Sequence, residues 1–143
     1  MTPHFTLQEL THSDKAIELD LDNTPNAEQL ANLKRLAVQL ELCRTLLNDN
    51  PLIISSGFRS IAVNRAVGGV DTSAHCGGYA ADFTCPGFGD PKEVVKRLKP
   101  FLVEFDQLIF ENKGGKQWVH LGVGPRKRRQ IMTIDDRGAR LGV

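Results

Sequence analysis

Only four histidines occur in the 143 residues: His4, His12, His75 and His120. None lies four positions from another, so the HExxH spacing that puts two zinc-binding imidazoles on one helix face is absent. No GxSxG elbow, GxxxxGKS/T loop or GxGxxG fingerprint occurs, which removes the commonest hydrolase, NTPase and dinucleotide readings. What remains is the cluster Ser73-x-His75-x-x-Gly78-x-Ala80-x-Asp82 and a distant Trp118-Val119-His120. Asp82 sits among Ala80, Ala81 and Phe83, too apolar a run for a solvated carboxylate, and a buried one must be paired or coordinate a metal. Gly77, Gly78, Ala80 and Ala81 are small enough to let backbones approach closely. Two imidazoles and one carboxylate would leave a fourth tetrahedral position open on zinc, as catalytic rather than structural sites do. Such an ion polarises a carbonyl and eases the ionisation of water. Each piece alone also has an ordinary reading: His120 as a hydrogen-bonded strand residue, Asp82 as a cap, Arg59 as a surface cation, Ser73 as a turn residue.

These residues must be positioned by elements the pattern suggests. Thr6 and Glu9 have capping-box spacing, so a short helix opens at Thr6 and runs through Leu10. Leu30, Leu33, Leu36, Ala37, Leu40 and Leu47 recur at helical spacing after Asn26, and Asn48-Asp49-Asn50-Pro51 ends that helix. Residues 52–58 read as a strand, 61–66 as a turn or two of helix, and 73–83 as a glycine turn leading into a short strand. Asp90-Pro91 opens another helix with proline at its first position. Residues 105–111 and 116–122 flank Asn112-Lys113-Gly114-Gly115 as a hairpin, and 128–135 adds a third strand in a meander. Helices followed by strands mixed with a helix suggest an α+β fold.

Length and composition bound the possibilities. One domain spanning 1–143 is expected, large enough to bury a core without staples. Eighteen basic against seventeen acidic side chains give +1, which offers no global field for nucleic acid. No apolar run approaches the roughly 20 residues of a membrane span, and the start has no basic-then-apolar leader pattern. Cys43, Cys76 and Cys85 are odd in number and lack CxxC spacing, so a disulfide framework and a cysteine zinc knot are not expected. Cys76 and Cys85 are read as small buried side chains, and Phe101, Phe105 and Met132 as core filler. The basic run Pro125–Arg129 could meet anionic cell-wall polymers or nucleic acid, but is read as a solvated turn before a strand.

Read together, SGFRSIAVNRAVGG, SAHCGGYAADF and FDQLIFE…WVHLG resemble the family of zinc D,D-carboxypeptidases and peptidoglycan L,D-endopeptidases (peptidase M15). The likeness is greatest to its small, phage-endolysin-like branch and covers roughly residues 5–123. It implies a zinc D,D-peptidase (hedgehog-like) fold: a small, mostly antiparallel sheet with helices packed on one side. It also implies zinc held by His75, Asp82 and His120, substrate held by Arg59, and a positioning role for Ser73. Trp118 joins Arg59 and Ser73 as a candidate substrate contact. The implied partner is a peptidoglycan stem peptide, with no nucleic acid and no membrane insertion. The implied setting is cytoplasmic synthesis followed by action on the wall after release, or association with a virion.

One departure bears on activity. Many members carry Glu-x-x-His, whose glutamate is the general base; here that position is Gln117, whose amide cannot transfer a proton as a carboxylate does. The first replacement candidate is Glu111. Pairing it with Lys116 would put Gln107, Ile109, Glu111, Trp118 and His120 on one face. Asp106 is the second candidate, and Glu111 could instead be a hairpin-end carboxylate paired with Lys113 or Lys116. Three readings follow: an active zinc peptidase, a zinc-retaining peptidoglycan-binding or virion module with its chemistry lost, and a metal-free structural protein.

Overall fold

Thr6, Ser13, Asn26, Ser60 and Asp90 each start a helix in the computed structural model, which describes residues 1–143. Each side-chain oxygen accepts the backbone N–H three residues on, satisfying a donor the first turn leaves free. The helices are α1 (Leu7–Thr11), α2 (Asp14–Leu19), α3 (Ala27–Leu46), α4 (Ile61–Ala66) and α5 (Pro91–Leu98). Asn26 and Gln29 close a reciprocal capping box on α3. α2 has no counterpart in the sequence pattern, because a six-residue helix that buries only Ala16 has no apolar stripe to betray it.

The strands are β1 (Ile53–Ser56), β2 (Ala80–Thr84), β3 (Gln107–Lys113), β4 (Lys116–Gly122), β5 (Gln130–Asp135) and β6 (Gly138–Leu141). They form one sheet in the order β1-β2-β4-β3-β5-β6, antiparallel at every pair except β3 with β5. The architecture is α+β, as expected, but the last strands are not a meander. Strand β2 already pairs with the outer edge of β4, with Asp82 opposite His120. The chain leaving β4 therefore crosses the start of β3 and pairs on its free edge, parallel to it. The exposed edge strand β6 had no sequence signal strong enough to be read.

The β3–β4 hairpin is tighter than expected. Lys113 faces Lys116 across a two-residue loop, Gly114-Gly115, both with positive φ (58° and 80°), as a type I′ turn requires. Glu111 consequently pairs with Trp118 rather than Lys116. A slip of two residues preserves the face. It also places Glu111 two positions from Ile109, the residue opposite His120, where the expected register would have left four.

Alternation divides the sheet. Ala81, Phe83, Leu108, Phe110, Val119 and Leu121 join Leu33, Leu36 and Leu40 of α3 and Val94, Val95 and Leu98 of α5 in a single core. Asp82, Glu111, Trp118 and His120 alternate with those residues and belong to the other face. Phe105 is core, but Phe101 is half-exposed, with the Arg97 guanidinium 5.1 Å from its ring centre, and Met132 is only partly buried. No helix is long and apolar enough to cross a membrane.

Candidate metal centre

His75 is carried by a single 3-10 turn, Ala74–Gly77. Ser73 caps it, its hydroxyl accepting the His75 N–H at 3.3 Å. Gly78 ends it at φ 77°, where a Cβ would come within 2.6 Å of the Gln29 carbonyl oxygen. Helix α3 holds the turn from below: Gln29 Nε2 donates to the Cys76 carbonyl (3.1 Å) and Asn32 Nδ2 to that of Gly77 (2.9 Å). On the other side, the Gly57 carbonyl accepts from His75 Nδ1 at 2.7 Å, and the Arg59 N–H donates to the His75 carbonyl at 3.1 Å. A side chain at Gly57 would collide with the Leu10 carbonyl oxygen, 2.3 Å from its Cβ, so only glycine lets this segment lie against α1. Because a carbonyl can only accept, Nδ1 carries a hydrogen. Nε2 then faces Asp82 Oδ1 at 3.3 Å, donating to it in the imidazolium form and offering a lone pair in the neutral one.

Asp82 and His120 come from adjacent strands in direct register. His120 Nδ1 lies 2.9 Å from Asp82 Oδ1, and the two imidazoles meet edge to face with centres 5.2 Å apart. One donor atom from each of His75, Asp82 and His120 falls within 4.8 Å of the others. Burial alone would push the Asp82 carboxyl up, but the charge of His75 and hydrogen bonds with His120 and His75 outweigh it, holding it well below the usual range. Two nitrogen donors and an ionised oxygen donor, buried and converging, suit a divalent metal, and this group could hold one. Arg59 stands beside it, with a guanidinium nitrogen 3.7 Å from Asp82 Oδ2. Ser56 Oγ (3.1 Å from Nε) and Asn64 Oδ1 (3.1 Å from Nη1) fix its orientation.

Glu111, Asp106 and Gln117 lie in three different environments. Glu111 borders the same cleft as His120 and forms no ion pair with Lys113 or Lys116, which face each other. Burial and then the neighbouring Asp82 charge push its carboxyl upward. Asp106 is spoken for: Arg128 donates from Nε (2.8 Å) and Nη2 (2.9 Å) to its two oxygens, and the Arg128 N–H adds a third bond at 3.0 Å. Those bonds hold it below the usual carboxylate range against the opposing effect of burial. Gln117 lies three residues before His120 in an unbroken strand, so it shares the parity of Val119 and Leu121 and belongs to the opposite face. A glutamate there would not have faced His120. Trp118 sits across from Glu111, and its indole N–H is buried without a partner.

The cleft beside His120 has a volume of about 440 Å³, and Ser73, Tyr79, Glu111 and Arg126 are among its walls. Arg59 lines a second hollow of about 330 Å³, with Ser55, Ser56 and Phe58. The run Pro125–Arg129 is an exposed connection into β5, as read, although it also borders the larger cleft. All three cysteines are free; Cys43 and Cys85 are buried, but Cys76 is only partly so. Burial pushes the Cys43 thiol up to about 12, leaving it unreactive.

The supporting residues escaped the sequence reading. Asn23 donates to the Thr11 and Phe58 carbonyls and accepts the Ser60 N–H, tying the lead-in to the segment that bears Arg59. Asn32 and Asn64 are 3% and 1% exposed. An asparagine beside Leu33 and Leu36 on the buried face of α3 is the one signal that could have pointed to such a role.

A family profile described as Peptidase M15 matches residues 3–122. Among curated proteins, a zinc D-Ala-D-Ala carboxypeptidase from Streptomyces albus G is 41% identical over 44 residues. That match covers 31% of this chain and 17% of the relative's length.

Proposed function

The chain belongs to the peptidase M15 family, and on that premise we propose that it is a zinc-dependent peptidase hydrolysing peptide bonds in peptidoglycan stem peptides. The observation that carries this reading is the convergence of His75, Asp82 and His120 beside a cleft whose wall includes an unpaired, partly buried carboxylate, Glu111. His75 through Nε2, His120 through Nδ1 and Asp82 through Oδ1 would hold the ion. Zinc, when bound, supplies Lewis acidity that polarises the scissile carbonyl and eases the ionisation of water.

The remaining work falls to the protein's own groups. Glu111, made a stronger base by burial, accepts a proton from water and returns it to the leaving amine. Asp106 is a poorer base because Arg128 already saturates its oxygens. Arg59, pre-oriented by Ser56 and Asn64, offers its planar fork to a substrate carboxylate. Ser73 keeps the His75 turn in place, and Trp118 shields the hairpin end of the site from water. A zinc-retaining module that has lost its chemistry at Gln117 is less well supported, since that side chain belongs to the other face of β4.

Protein purified without chelator is expected to carry about one zinc per chain. It should release new amino groups from purified sacculi, lose that activity to a chelator and regain it with added zinc. Absence of both zinc and amine release would overturn the reading.

A further inference from the structure

The basic run Pro125–Arg129 is not used by the site as described, yet it forms part of the cleft wall. Two of its residues, Lys127 (φ 47°) and Arg129 (φ 55°), are in the left-handed region that non-glycine residues avoid. The surrounding structure must hold such a backbone in place. Backbone bonds from Lys127 to Gly124 (3.3 Å) and from Arg129 to Phe105 (3.2 Å) do so, and between them Asp106, only 7% exposed at the entrance to β3, takes three hydrogen bonds from Arg128. The Asp106–Arg128 pair cancels its own charge. Arg126, two residues earlier, borders the cleft and makes no ion pair, its charge acting on Asp106 only from a distance and as the weakest of the influences there. Lys127, between them, borders a different groove on the far side of Tyr79, with Arg35 and Glu104.

We propose that Arg126, on a loop braced by Asp106 and Arg128, is a carboxylate-binding residue for the part of the peptide lying in the His120–Glu111 cleft. The expected ligand is a peptide bearing a free carboxylate on that stretch, additional to any carboxylate taken by Arg59 in its separate hollow. This rests on the peptidase reading and adds to it a preference for acidic over amidated peptide. A guanidinium meets a carboxylate with two parallel, charge-assisted hydrogen bonds, and a carboxamide can accept only part of that pattern.

The test uses a synthetic Ala–γ-D-Glu–Lys tripeptide and its counterpart in which the glutamate α-carboxylate is a carboxamide. Cleavage rates are compared for the zinc-loaded protein, Arg126→Gln and Lys127→Gln. Binding is read from the fluorescence of the single tryptophan, Trp118, in zinc-loaded protein that also carries Glu111→Gln, so that peptide binds without turnover. The unaltered loop is expected to favour the acidic peptide by about fivefold, the scale of a partly solvated ion pair. That preference should fade in 1 M salt, where screening acts within about 3 Å. Arg126→Gln should abolish the preference and Lys127→Gln should keep it, although both remove one charge from the same loop. Equal binding of the two peptides by the unaltered loop, or a preference that survives Arg126→Gln, would overturn the proposal. If neither peptide is cleaved but the binding preference and its loss are observed, the peptidase reading fails while the carboxylate site stands.

Discussion

His120 and Leu121 are neighbours in β4, yet one meets Asp82 on the open face of the sheet and the other lies in the core under α3 and α5. The same contrast repeats along β2, where Asp82 is flanked by Ala81 and Phe83 of the core. One face is apolar and closed; the other carries Asp82, Glu111 and His120, and the His75 ring meets Asp82 there from its 3-10 turn. Because the strands alternate, the core fixes the height and register of every second residue and so sets where the polar face presents its groups. Asp82 and His120 take their placement from the face beneath, whereas His75, on its 3-10 turn, is held by bonds to Gly57 and from Gln29 and Asn32 around it.

Substituting the two neighbours separates these roles. His120→Ala is expected to remove bound zinc and reduce sacculus hydrolysis to background. Leu121→Ala is expected to cost about 2–5 kcal/mol of stability, as deletion of a buried leucine does, while the folded fraction still binds one zinc. Metal analysis with urea unfolding checks both; zinc retained at full occupancy by His120→Ala would break the division of labour. Next in size is Glu111→Gln, which keeps the shape of the cleft wall. It should retain zinc and lower turnover by about 10²–10⁴-fold, the usual contribution of a general base. Activity close to that of the unaltered protein would move proton transfer to another group.

A buried carboxylate outside the group of His75, Asp82 and His120 sharpens the comparison. Asp82 and Asp106 are equally hidden, at 7% exposure each, but Asp106 is gripped by the Arg128 guanidinium at 2.8 Å, whereas Asp82 meets two imidazoles and has the Arg59 guanidinium only at 3.7 Å. Asp106→Asn should cost about 1–2 kcal/mol, the lower part of the range for unpairing a buried charged partner, because the Arg128 side chain keeps 29% exposure. The folded-state value of Asp106 is depressed, so its stabilisation is complete above the unfolded carboxyl value of about 4. It is lost as pH falls through the lower, folded value. Urea unfolding at pH 7 and pH 3 should therefore show the gap between native protein and Asp106→Asn narrowing at the acid end. A gap that stayed constant would mean that Asp106 braces the loop through shape rather than charge.

Local chemistry made much of this fold legible. Asn26 and Asp90-Pro91 mark helix starts because a cap and a proline act within one turn, and the β4 span 116–122 follows from alternation alone. Partnership between strands is not local. That β5 lies parallel beside β3 depends on β2 already filling the other edge of β4, and no residue in 123–130 announces it. The approach of Asp82 to His120 depends on a register between segments 38 residues apart, and resemblance to a family, rather than spacing, drew the two motifs together. His75 needed still more, since its orientation comes from Gly57 in another segment and from Gln29 and Asn32 on α3. The hairpin shows the limit most clearly: its face was readable from parity, while the two-residue slip that carries Glu111 toward His120 depended on Gly114-Gly115 both turning left-handed.

The smallest expected effect is the most discriminating. Gln117 departs from the Glu-x-x-His pattern and, taken as sequence, suggests a lost base. In an unbroken strand, positions three apart point to opposite faces, and every pair from Lys116 to Gly122 keeps register with β3. Gln117→Glu would thus add a carboxylate to an exposed position opposite Asn112 near the hairpin tip, on the face away from His120. Surface substitutions of this kind stay within about 0.5 kcal/mol in stability, and turnover should not rise. A gain of tenfold or more in sacculus hydrolysis would mean that β4 twists or shifts register when substrate binds, bringing residue 117 around to His75, Asp82 and His120. Glu111 would then give up its place as the base.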